Sequence, residues 1–105
     1  MAVTTAILQP GLTLTTASAA IVTASSGSTT VLQSVFSNPT AADISLTVQI
    51  QRNGKDALTI IPARTVAAGQ TCVPPELASF PLAQGDQILA SGAGLEAWVN
   101  GFTVT

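Results

Sequence analysis

The chain has 105 residues, the size of one domain, with hydrophobic residues at 47% but charged residues at only 8%. Five acids face three bases for a formal net charge of -2, and there is no His and no Tyr. That composition removes the commonest general base and metal ligand, denies nucleic acid the row of Lys and Arg that phosphate binding needs, and argues against disorder.

A monomer of this mass exposes roughly 5,400 Å², so its eight charges fall about one per 700 Å², far sparser than on an ordinary soluble surface. Either Thr, Ser, Gln and Asn cover the outside, or much of the outside is buried against other chains. Residues 1–18 are rich in Thr and Ala and weakly patterned, with Pro10-Gly11 as a break. They are read as an N-terminal arm or an edge strand, preceding a β-sandwich domain over 19–105. The N-terminus lacks a basic region and a long apolar stretch, so no signal peptide is expected. No apolar run approaches the ~18 residues of a membrane span.

Strands are predicted over Ala20–Thr23 and Thr29–Ser37, the second stopping at the turn signal Asn38-Pro39-Thr40. Ser25-Ser26-Gly27-Ser28, between them, is read as a turn. The clearest strand is Asp43–Gln51, where Ile44, Leu46, Val48 and Ile50 alternate with Ser45, Thr47, Gln49 and Gln51. Period two puts the first set on a buried face and the second on a polar, uncharged one. Asn53-Gly54 predicts a type I′ hairpin turn, with a return strand over Asp56–Ile61 ended by Pro62.

Thr65–Val66 with Gln70–Val73 forms a further predicted strand. Pro74-Pro75 and Pro81 then punctuate a loop around Glu76–Phe80 that admits a single helical turn. Gln87–Ala90 and Leu95–Val104 complete the strands, with Gly92-Ala93-Gly94 as a turn; Asn100-Gly101 admits a terminal hairpin, but with only four residues after the glycine one long strand kinked by a bulge is favoured. Turn signals every 8–12 residues give the fold class: an all-β, single antiparallel sandwich or jelly-roll-like domain.

Candidate sites are few. Cys72 is a lone thiol with no histidine to activate it and is read as a small buried hydrophobe. The acids Asp43, Asp56, Glu76, Asp86 and Glu96 form no metal-loop pattern; Asp43 and Asp86 start strands and satisfy turn N–H groups. No catalytic residue, cofactor site or metal site is expected. Arg52, Lys55 and Arg64 fall within thirteen positions around the hairpin; a solvated hairpin end is the default reading, and a docking tip that meets an acidic partner surface is the functional one. Trp98 and Phe102 share a face on an unbroken strand, a register that a bulge at Gly101 breaks; core packing is the default for both, and exposure makes them an interface anchor.

One ordered series goes beyond generic β patterning. Val31-Leu32-Gln33-Ser34-Val35-Phe36-Ser37-Asn38-Pro39-Thr40 precedes Ile44–Ile50. Then follow Thr65-Val66-Ala67-Ala68-Gly69-Gln70-Thr71 and Phe80–Ser91, which holds the element Leu82-x-x-Gly85-Asp86-x-Ile88. This order resembles the small β-sandwich, jelly-roll-like structural proteins of tailed bacteriophage virions, across about residues 30 to 104. The resemblance implies a structural role in the virion, assembled in the host cytoplasm, with no catalytic residues. It implies a capsid decoration or cement protein that binds itself and the major capsid protein, with neither nucleic acid nor membrane as a partner. A neck, collar or tail component is the alternative within that class. A carbohydrate- or receptor-binding sandwich is the alternative outside it, and predicts Trp98 exposed in a shallow groove.

Overall fold

The computed structural model describes residues 3–25 and 27–104. The chain folds as two antiparallel sheets packed face to face, an all-β sandwich. Sheet A holds β1 (Val3–Thr13), β9 (Glu96–Val104) and β3 (Ser28–Ser37) side by side. The far edge of β3 is shared by two short strands, β6 (Thr71–Cys72) and β7 (Phe80–Leu82). Sheet B runs β2 (Ala19–Thr23), β8 (Gln87–Ser91), β4 (Ile44–Gln51), β5 (Leu58–Val66). The chain passes from one sheet to the other between β1 and β2, β2 and β3, β3 and β4, β5 and β6, β7 and β8, and β8 and β9. Only β4 and β5 are joined as a direct hairpin. Ser26, part of the predicted turn between β2 and β3, lies outside the described residues, as do Met1, Ala2 and Thr105.

The alternation in β4 sorts as its sequence dictates. Leu46, Val48 and Ile50 enter the core while Ser45 faces water. They meet Val31, Phe36 and Val99 from sheet A, and Phe36 is the one aromatic ring fully enclosed there. Small residues Ala97 and Gly101 continue the inner face of β9. A Cβ at Gly101 would collide with the Thr30 carbonyl, so glycine sets the closeness of β9 to β3.

Asn38 closes the β3–β4 loop. It is 1% exposed, and its Nδ2 donates to the carbonyls of Ala42 (2.8 Å) and Val66 (2.9 Å). Its Oδ1 accepts from the backbone N–H (3.0 Å) and the hydroxyl (2.6 Å) of Thr40. The amide therefore replaces the water it gave up, and the loop is tied to the end of β5.

Three local expectations are corrected. The return strand does not end at Pro62 but runs to Val66, because Pro62 and Ala63 together lie opposite Thr47 as a bulge. Ala63 takes φ 66°, which lets the edge strand absorb a residue with no N–H. The Asn53-Gly54 turn is closed by the Lys55 N–H donating to the Arg52 carbonyl (2.9 Å). Only Gly54 has positive φ, which is the type II pattern rather than I′. In β9 the ladder irregularities fall on its neighbours, past Leu8 in β1 and Leu32 in β3, so β9 keeps its own alternation through Gly101. The single helical turn expected near Glu76 is the 3₁₀ turn Pro75–Leu77, whose Leu77 is buried.

Candidate functional site

The charged residues do not gather into one patch. Arg52 leaves the end of β4 and turns back over the sandwich. Its Nη1 donates to Asp86 Oδ2 (2.7 Å) and to the Pro81 carbonyl (3.1 Å), and its guanidinium stands 5.6 Å from the centre of the Phe80 ring. Asp86 is 3% exposed and also accepts from the backbone N–H of Asn53 and of Ala83, each at 2.9 Å. Burial pushes the Asp86 carboxyl up, but the hydrogen bonds from Arg52, Asn53 and Ala83 and the Arg52 charge outweigh it. Its pKa is held below the ordinary 3.8.

Arg64 is likewise committed. It lies opposite the inward-facing Leu46, so it reaches across the sandwich edge to Glu76 in the 3₁₀ turn and grips both carboxylate oxygens. The hydrogen bond from Arg64 draws the Glu76 pKa down, and the same bond raises that of Arg64. Lys55 alone of the three bases has no acid partner among the described residues. Cys72 is half-buried rather than enclosed, because β6 is a two-residue strand at the sheet edge.

These contacts distribute the eight charges unevenly. The strands of sheet A carry a single charged residue, Glu96, at the end where β9 meets Thr13 and Ser37. The other seven lie in sheet B, its hairpin, the connecting loops and the 3₁₀ turn.

Sheet A is correspondingly almost uncharged on its outer face, where large apolar side chains stand among Thr5, Gln33 and Asn100. Register places Val3, Thr5 and Ile7 of β1 beside Val104, Phe102 and Asn100 of β9. Asn100 and Trp98 lie beside Gln33 and Val35 of β3. Of six large apolar side chains left exposed among the described residues, Val3, Ile7, Leu32 and Trp98 belong to this sheet. Trp98 and Phe102 share the outer face, so the core placement expected by default for both is replaced. Trp98 is 37% exposed and Phe102 is half-buried. The interior beneath them is already filled by Ala97, Val99 and Gly101, which leaves no room for a large ring.

Two hollows mark this face, one of about 280 Å³ between Ile7, Pro10, Gln33, Val35 and Trp98, the other of about 460 Å³ around Leu32, Gln33 and Ile7. Asn100 lines both. The edge of the Trp98 indole lies against Gly11, where a Cβ would come within 3.1 Å of Nε1. Gly11 has φ 140°, so the β1 backbone can bend past the ring there.

Of the five candidate residues, the structure brings Trp98 and Phe102 onto one surface and places Arg52, Lys55 and Arg64 elsewhere. Ile7, Gln33, Val35 and Asn100 complete that surface and were not singled out by sequence. Their signal was a strand with apolar residues on both faces, which period-two reading discounts. Among the described residues no cluster of three or more Cys, Asp and Glu side chains could hold a metal ion, and no helix is long and apolar enough to cross a membrane. The chain matches no family model, no curated protein and no solved structure.

Proposed function

We propose that this protein is a non-enzymatic structural component of a bacteriophage particle, a capsid decoration or cement protein that clamps neighbouring capsid subunits. The observation that carries this reading is the outer face of sheet A, which exposes Val3, Ile7, Leu32 and Trp98, bears one charge at its margin and is bordered by an open strand edge. Apolar patches of this kind on small proteins mark contact surfaces. Such a surface loses little on leaving water, because few charges must be desolvated. The resemblance in the order of residues 30–104 supports the virion context. Incubating the protein with empty heads of the phage that encodes it, followed by sedimentation, tests the reading. Stoichiometric co-sedimentation is expected; protein left wholly in the supernatant refutes it. Density at the neck or tail in a particle map would assign the alternative position.

A second reading has its own observation. Trp98 stands partly exposed in a hollow rimmed by the Gln33 and Asn100 amides, a combination suited to stacking on and hydrogen bonding to a neutral sugar. Binding of a glycan by wild type and not by Trp98→Ala favours it, and a blank glycan array removes it.

A further inference from the structure

We infer that β1 is the seam to which a second copy of this chain adds, antiparallel and centred on Thr5. This inference rests on the reading of sheet A as an assembly surface and names its partner.

The four sheet edges are not equivalent. β5 is blunted by the Pro62–Ala63 bulge and by Arg64, a charge turned inward from the edge. β2 has only five residues and a register shift of its own. On the far side of β3, β6 and β7 are short, and Pro74, Pro75 and Pro81 interrupt them. β1 is the long edge, eleven residues without a charge, and among the described residues it pairs only with β9. Proteins that stay monomeric seldom leave such an edge open.

The open part can be narrowed. From Val3 to Ile7 the register with β9 advances without a shift, against Val104 to Asn100. Beyond Ile7 two irregularities and Pro10 take the strand off a straight ladder. The segment Val3-Thr4-Thr5-Ala6-Ile7 is therefore the straight, pairing-competent stretch. Its outward side chains read Val, Thr, Val-like again at Ile7, a pattern symmetric about Thr5.

That symmetry suits a two-fold axis, where the same patch must complement itself. With Thr5 opposite Thr5 of the partner subunit, Val3 lies opposite Ile7 of the partner subunit, and the reverse. Val3 is 66% and Ile7 76% exposed in the single chain, so the pairing covers two of its most exposed apolar side chains. No like charges meet, because the strand has none. One continuous sheet results, with the hollows beside Trp98 repeated on either side of the axis.

Cysteine scanning in a Cys72→Ser background tests this register. Directly opposite residues have Cβ atoms about 4.5–5.5 Å apart, and diagonal ones about 7–8 Å. A disulfide links Cα atoms about 4.4–6.8 Å apart, which admits directly opposite residues, whose Cα atoms are about 4.5–5.5 Å apart, and not diagonal ones. Thr5→Cys is expected to give a disulfide dimer on mild oxidation, and Thr4→Cys, whose opposite residue is Ala6 of the partner subunit, is not. Light scattering should show wild type as a dimer at micromolar concentration. Thr5→Lys, which sets two like charges face to face on an exposed position, should be a monomer with unchanged circular dichroism. A monomeric wild type, a dimeric Thr5→Lys protein, or cross-linking of Thr4→Cys equal to that of Thr5→Cys overturns the inference. Should Thr5→Lys fail to fold, the cysteine pair decides alone. A monomer that still sediments with heads removes this seam and leaves the assembly reading; a cross-linked dimer that ignores heads does the opposite.

Discussion

Replacing Asp86 by alanine should be among the most damaging single changes outside the apolar core. Asp86 is 3% exposed and holds three donors at once: Arg52 Nη1, the Asn53 N–H and the Ala83 N–H. Removing it orphans two backbone donors at the junction of the β4–β5 hairpin and the β7–β8 loop. Each carboxylate-bonded donor is worth about 1.5–3 kcal/mol before compensation by water. Arg52 is half exposed, with 47% of its side chain open to solvent, so its share is largely recovered by hydration. The two backbone bonds set the loss at about 2–4 kcal/mol. For a domain of this length each kcal/mol lowers Tm by about 4–8 °C, so a drop of at least about 8 °C is expected. Urea unfolding followed by circular dichroism measures it, with the midpoint falling and the slope unchanged. A loss below about 0.5 kcal/mol, the range of an ordinary surface substitution, would refute the claim that Asp86 fastens these two loops.

Three further outcomes follow from the same structure. The folded-state pKa of Asp86 lies below 3.8, so its stabilisation is present above the unfolded value and is lost as pH falls through the lower, folded one; wild-type stability should drop in that acid window, and Asp86→Asn should flatten the drop in parallel urea titrations. Gly101→Ala must push β9 away from the Thr30 carbonyl and should cost about 1–3 kcal/mol in urea unfolding; a loss below about 0.5 kcal/mol would mean that β9 and β3 are not tightly apposed. Trp98→Ala should keep the fold, since the ring lies outside the core, and weaken head binding by about 30-fold, the ~2 kcal/mol of an interfacial hot spot; unchanged binding would take Trp98 out of the contact.

The parts of the fold legible in the sequence are those where one sheet face meets core and the other meets polar solvent. β4 is the clearest case. β1 was not legible as a definite strand, because Ala6 and Leu8 face inward while Val3 and Ile7 face outward, so both of its faces carry apolar residues. Pro62 misled for a different reason. A proline ends a strand in the middle of a sheet, but at an edge it can sit in a bulge, and only the neighbours decide which. The size of Trp98 points to the core, whereas the interior of β9 is filled by small residues that keep the two sheets close. The Arg52–Asp86 pair spans 34 positions and has no local signature; the Gly85-Asp86 turn was visible, and its partner was not.

Sheet A, through β1 and its outer face, is proposed as the side by which this chain joins a particle. The most direct measurement is a map of that particle at a resolution that separates strands. The account predicts subunit density against Val3–Ile7 and the Trp98 hollow, with Lys55 at the hairpin tip facing solvent. A particle in which β1 and that face look outward into solvent while the hairpin tip is buried, or one that lacks the protein, would contradict it.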